Sequence, residues 1–144
     1  MGAKRAGMFW AVGVLAAVLL AGCAGTPTRG TPNVAGTDSC VPAERLEVQV
    51  APEAQLTELS CFVKPYKKVQ SLHIKVGVKN VTDKPHRYRV NLFLDNGKAV
   101  GGLIPRKGKP PVVKPGETAT FTYPVKGMAG KPGGLTVLVK TIGE

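Results

Sequence analysis

The sequence has 144 residues, of which 43% are hydrophobic, and twenty Lys and Arg stand against nine Asp and Glu for a formal net charge of +11. That length accommodates one domain and excludes a second core. Part of the apolar content is spent at the N-terminus, where Lys4 and Arg5 precede an apolar run from Met8 to Gly22. Fifteen helical positions reach roughly 23 Å, short of the roughly 30 Å hydrocarbon core that a spanning helix must cross. Residues 1–22 therefore read as a signal peptide rather than a permanent span.

The run closes on Leu20-Ala21-Gly22-Cys23, which resembles the lipobox of bacterial lipoproteins. Ala21 and Gly22 are small enough to enter a peptidase site, and the Cys23 thiol can take a diacylglyceryl thioether. The resemblance implies cleavage before Cys23 and lipid attachment at that residue. Each buried methylene contributes about 0.8 kcal/mol and two or more acyl chains attach stably, so the expected protein is held to a membrane without crossing it. Myristoylation at Gly2 requires Ser or Thr where this chain has Ala6. Ala24 follows the lipid site where Asp would signal inner-membrane retention, so the same resemblance implies an outer-membrane location facing the periplasm.

Residues 23–39 read as a lipidated, flexible tether, since Ala24 to Ser39 is rich in Gly, Thr and Pro and has no apolar periodicity. Sixteen such residues span about 20 to 24 Å. Setting Cys23 aside leaves an even pair, Cys40 and Cys61, and a disulfide between them is expected in an oxidising location. The alternatives are a metal pair or a catalytic thiol. Two thiols 21 positions apart lack the C-x-x-C spacing of zinc and redox sites, and His73 and His86 are the only histidines that could assist.

Over residues 40–144 the apolar pattern has period two, with no stripe at helical spacing. Leu46, Val48 and Val50 predict one half-buried strand, and Leu72, Ile74, Val76 and Val78 a second, which ends in the turn cluster Asn80 to Pro85. Tyr88, Val90, Leu92 and Leu94 share the face of a third strand, followed by the turn Asp95-Asn96-Gly97. Ala119, Phe121, Tyr123 and Val125 form a fourth face, entered from Lys114-Pro115-Gly116-Glu117, and the last strand is expected over Leu135 to Ile142. Between Leu56 and Val69 the pattern is ambiguous and leaves room for a short helix over Pro52 to Leu59. The expected fold is all-β, a single Ig-like β-sandwich of about seven short strands.

Three motifs, Asn80-Val81-Thr82-Asp83-Lys84-Pro85, Phe93-Leu94-Asp95-Asn96-Gly97 and Val113-Lys114-Pro115-Gly116-Glu117-Thr118, occur in an order similar to that of the YcfL-like and FxLYD-like lipoprotein domains. The resemblance covers roughly residues 70 to 126. Taken singly, the first motif reads as closing a hairpin and the third as entering a strand. Leu92 stands where YcfL-like proteins carry Trp, and Phe93-Leu94-Asp95 where FxLYD domains carry Leu-Tyr-Asp. The resemblance implies fold and envelope location, and it brings no catalytic residues.

Charge is distributed unevenly. Cys23 to Cys61 holds two basic and five acidic residues, whereas Phe62 to Glu144 holds sixteen basic and four acidic. Basic clusters lie at Lys64, Lys67 and Lys68, at Lys84, Arg87 and Arg89, and at Arg106, Lys107 and Lys109. The first and last of these are the candidate contacts for an anion or a partner. An anionic envelope polymer, a headgroup layer or an acidic envelope protein fits them. The alternative is that outward basic residues keep the domain soluble and discourage edge pairing. Nucleic acid is excluded by export and by sparse aromatic interleaving.

Little else carries chemistry, and no enzyme activity, metal or cofactor is expected. His73 is placed on the polar face of a strand, His86 in a turn, and Met128 is the one methionine after Cys23. Asp83 and Asp95 read as turn residues. Gly130-Lys131-Pro132-Gly133-Gly134 lacks the spacing of a phosphate loop and reads as a hairpin tip. Phe93 is expected either as an exposed contact or as cover for a second sheet. The expected function is a non-catalytic binding or accessory module for another envelope component. Its alternative is a structural or electrostatic role at an anionic surface without a specific partner.

Overall fold

The computed structural model describes residues 40–143. The period-two segments become seven strands: β1 (Leu46–Val50), β2 (Ala54–Tyr66), β3 (Val69–Asn80), β4 (Arg87–Leu94), β5 (Ala99–Ile104), β6 (Thr118–Val125) and β7 (Leu135–Ile142). A single 3-10 turn, Ala43–Arg45, precedes β1. The strands pair into a four-stranded sheet of order β1-β7-β4-β5 and a three-stranded sheet of order β2-β3-β6. All neighbours are antiparallel except β1 and β7, which run parallel with Val48 beside Val137. Two sheets packed face to face make the Ig-like sandwich expected from the periodicity.

The core is what the alternation places inside. Leu72, Ile74, Val76 and Val78 of β3 and Tyr123 and Val125 of β6 meet Tyr88, Val90 and Leu92 of β4 and Val137 and Val139 of β7, all buried. β7 matches its expected limits, and β1, β3, β4 and β6 contain the expected faces.

Two strands are not the short segments expected, since β2 and β3 have 13 and 12 residues and form one long hairpin. The ambiguous stretch is strand, not helix. Its alternation is broken by a β-bulge between Leu56 and Glu58, where Thr57 is the extra residue. Leu56 faces inward before the bulge, and Leu59 and Cys61 face inward after it. The bulge needs the glycine opposite, because a Cβ on Gly77 would lie 2.8 Å from the Thr57 Oγ1.

Connections also differ from the expectation at two places. Asn80 to Pro85 does not close a hairpin, because β3 and β4 belong to different sheets and this segment crosses between them. Gly130 to Gly134 is likewise part of a crossover from β6 to β7 rather than a hairpin tip. The two hairpins are β2-β3, turning at Lys67-Lys68, and β4-β5, turning at Asp95 to Lys98.

Asn80 organises the far end of the sandwich. It is fully buried, and its Nδ2 donates to the Lys84 and Val113 carbonyls at 2.6 and 2.9 Å. Its Oδ1 accepts from the Thr82 N–H and hydroxyl, both at 2.9 Å. Its backbone N–H donates to the Glu117 carbonyl at 3.0 Å, and its own carbonyl accepts from Gly116 at 3.0 Å. Two of the three motifs noted in the sequence are therefore one hydrogen-bonded cluster. Turn chemistry there is supplied by Asn80 and Thr82, and at the β4-β5 turn by Asn96, whose Oδ1 accepts from the Lys98 N–H at 3.1 Å, rather than by Asp83 and Asp95.

Candidate functional site

Two of the candidate residues close a covalent link. Cys40 and Cys61 are disulfide-bonded, with Cα atoms 4.8 Å apart, which ties the segment before β1 to the middle of β2. Both cysteines are buried. Cys23 lies outside the described residues, as do the signal peptide and tether expected over residues 1–22 and 23–39.

Lys64, Lys67 and Lys68 are brought together at the tip of the β2-β3 hairpin. The strands close with Tyr66 opposite Val69, leaving Lys67 and Lys68 as a two-residue turn. Both have positive φ, 50° and 67°. That conformation suits the right-handed twist of a hairpin but is normally supplied by Asn-Gly or Gly-Gly. Alternation along β2 and β3 puts Phe62, Lys64 and Tyr66 on the outer face with His73 and Val69. The Lys64 ammonium lies 5.3 Å from the Phe62 ring centroid, and that of Lys67 5.8 Å from the Tyr66 ring. Such contacts align the cations without consuming their charge.

His73 is on the outer face, as expected, but it is not a surface residue. Only 3% of it is exposed. The Phe62 ring stacks on it at 5.5 Å, Tyr66 meets it edge-on at 6.1 Å, and its Nδ1 is 2.9 Å from the Ser71 carbonyl oxygen. Its cross-strand partner Phe62 is the signal for this burial, hidden in the sequence by the broken alternation of β2. The tip is also apolar on both sides, with Val69 59% and Val63 42% exposed.

Arg106, Lys107 and Lys109 lie on the β5-β6 connection, and the structure does not join them to the hairpin cluster. Lys107 and Lys109 are exposed. Arg106 is exposed too but lies against the domain, its guanidinium carbon 3.7 Å from the Phe121 ring centroid and 5.5 Å from that of Tyr123. Gly102 makes room for it, since a Cβ there would lie 2.8 Å from Nη2. The Tyr123 hydroxyl beneath is buried without a hydrogen-bond partner, and burial pushes it up to about 12. Sequence spacing offered no signal for this stack, because Arg106 lies on the connection after β5 and both rings lie on β6.

Lys84 and Arg87 of the middle cluster line an open depression with Pro85, His86, Pro111 and Val112, whereas Arg89 faces outward from β4 beside Leu103 and Lys140. Beside this depression the Glu53 carboxylate accepts a hydrogen bond from the Thr141 hydroxyl at 2.8 Å, which lowers its pKa. Burial raises the neighbouring Tyr88, whose hydroxyl donates to the Glu53 carbonyl at 3.0 Å. Phe93 faces away from the second sheet and is 47% exposed, between Thr136 and Ala99.

Among the described residues no group of three or more His, Cys, Asp and Glu side chains could hold a metal ion, and no helix is long and apolar enough to cross a membrane. No protein-family model, curated protein or solved structure matches this chain.

Proposed function

We propose that the chain is a lipid-anchored lipoprotein of the bacterial envelope, of the YcfL-like and FxLYD-like kind. On this reading Cys23 carries the lipid and the protein sits at the outer membrane facing the periplasm. Its sandwich serves as a non-catalytic binding or accessory module for another envelope component. The observation that carries the reading is the division of labour among the three cysteines. Cys40 and Cys61 are consumed in a disulfide, the chemistry of an oxidising compartment, and the one left over follows Leu20-Ala21-Gly22 at the end of an apolar leader. The surfaces that such a module offers are the hairpin tip at Lys64, Lys67 and Lys68 and the loop bearing Lys107 and Lys109, both rich in cations and suited to an anionic partner.

The test is the intact mass of the protein recovered from membranes, taken before and after alkylation without reductant. The expected result is a mass for residues 23–144 plus acyl chains, with Cys40 and Cys61 refusing the alkylating agent. A mass without acyl chains, together with two reactive thiols, overturns the reading.

A further inference from the structure

The β2-β3 hairpin combines three features that ordinary solubility does not require. Its two turn residues hold the left-handed conformation, φ 50° and 67°, yet both are lysines. Asn-Gly would occupy that turn with less strain, so two cations are presented at the apex at a cost in stability, and strain of this kind points to function. From Cys61 to Asn80 there is no acidic residue. On the same outer face Glu58, which precedes that stretch, is held by Lys75 at 2.8 Å. The charge at the tip is therefore not cancelled by the strands that carry it. Finally, the cations flank exposed apolar surface, Val69 on one side of the hairpin and Val63 on the other, with the half-buried Tyr66 ring at the closing pair. Cations beside aliphatic and tyrosyl surface are the composition of an element that lies in a headgroup layer.

Position supplies the occupant. The described chain begins at Cys40, which is bonded to Cys61, and Tyr66 lies five residues further along the same strand. At about 3.3 Å per residue the tip projects about 17 Å beyond the disulfide. Sixteen residues separate Cys23 from Cys40, a length of chain that spans at most about 58 Å. The tip therefore lies within the span that this length of chain allows between the domain and the lipid site expected at Cys23, so anchor and tip can meet one surface and the first contact strengthens a second, weak one.

The geometry points to the β2-β3 hairpin tip as a second membrane contact, in which Lys64, Lys67 and Lys68 bind the headgroups of an anionic phospholipid surface and Val69 enters the headgroup layer. This deepens the anchored reading above and rests on it. The lipid holds the chain to the membrane, and the tip fixes which end of the sandwich faces it. The opposite end, with the buried Asn80 and the exposed Val81, is then presented away from the bilayer. Near an anionic surface each lysine contributes roughly fivefold to binding, so the three together supply roughly a hundredfold.

The test uses the full chain with Trp10→Phe, which leaves no native Trp, and with a single reporter at either end, Val69→Trp or Val81→Trp. Each protein is recovered from membranes, its mass is taken, and it is placed in phosphatidylcholine vesicles with or without phosphatidylglycerol. The expected result is a shift of the Val69→Trp emission to shorter wavelength, with quenching by bromine-labelled acyl chains, in the anionic vesicles alone. Val81→Trp is unchanged in both. Adding Lys64→Glu, Lys67→Glu and Lys68→Glu abolishes the shift and leaves the near-ultraviolet circular dichroism and the mass as they were. An unchanged emission, an equal shift in neutral vesicles or an equal shift at Val81 overturns the proposal. A shift that grows with protein concentration without vesicles overturns it too, and assigns the tip to a second copy of the chain. A mass without acyl chains removes the anchored reading instead, and the same emission, with vesicles added to that protein, still decides whether the tip binds.

Discussion

The sandwich has two open seams where an edge strand of one sheet passes an edge strand of the other, and they are closed by opposite means. At the β1/β2 seam the chain is welded: Cys40, just ahead of β1, is bonded to Cys61 within β2. At the β5/β6 seam it is only covered, by the Arg106 guanidinium 3.7 Å from the Phe121 centroid. The first closure restricts the unfolded chain as well as the folded one. The second acts in the folded state alone, and its cation keeps one side in water. A small domain with few core layers needs both edges sealed, and this one places its covalent closure beside the segment that leads back to Cys23.

The largest break in that comparison is removal of the weld. Cys40→Ser with Cys61→Ser is expected to lower the unfolding free energy by about 3 kcal/mol, given 21 positions between the cysteines. Denaturant unfolding of the variant, and of the native chain with reductant, measures the same loss twice. Agreement between the two separates the crosslink from the cost of two buried hydroxyls.

Arg106→Ala opens the other seam at a smaller cost, about 1 kcal/mol, because an exposed cation over a ring contributes about that much. Arg106→Lys recovers only part of it, since an ammonium cannot lie flat on Phe121. If Arg106→Ala costs as much as the disulfide, the seams are equivalent and the contrast fails.

Tyr123→Phe sharpens the picture of the same seam. It removes a buried hydroxyl that has no hydrogen-bond partner, so stability near neutral pH is expected to hold or rise by up to about 1 kcal/mol. The alkaline limb must change as well. The folded pKa, raised by burial to about 12, lies above the ordinary 10 of an unfolded chain. The contribution of Tyr123 is therefore fully present below pH 10 and is lost as pH climbs from there through about 12. The phenylalanine variant lacks that decline in a pH series of unfolding midpoints.

Thr141→Val lies outside both seams and has the smallest expected effect. The Thr141 hydrogen bond depresses the Glu53 pKa below 4.5, so its contribution is present above that pH and disappears as pH falls through the depressed value. Acid titration of stability should flatten in the variant, and the response to reductant or to Arg106→Ala should be unchanged.

What the sequence revealed, and what it concealed, follows the same physical division. β3, β4, β6 and β7 were legible because one face of each packs on the core without interruption, and Cys40 with Cys61 because a lone pair of thiols has few chemical uses. β2 was hidden by a single extra residue, Thr57, which moves the inward position from Leu56 to Leu59 and destroys the alternation. Gly77 was the available clue, since a glycine inside a strand of Val and Ile marks a place where another backbone comes close. β5 was hidden by Gly101 and Gly102, which carry no side chain to show a face. The basic clusters were visible as charge, but not their fates. Lys64, Lys67 and Lys68 meet at a tip only once β2 is known to be a strand. Arg106 is 15 positions from Phe121, on the connection before β6, and no local pattern connects them.

The parallel pairing of β1 with β7 has a consequence for the order in which the molecule can be assembled. Two hairpins, β2-β3 and β4-β5, join neighbours in the chain and can form as soon as their own residues exist. Among the described residues β1 is the first strand to be synthesised, yet its hydrogen-bonded neighbour is the last. Until Leu135–Ile142 arrives, β1 presents an unpaired edge, the feature by which strands aggregate. Because β7 lies between β1 and β4, a chain that stops short of Leu135 does not merely lose a strand at one side. It cuts the four-stranded sheet through its interior and leaves β1 with no sheet to join.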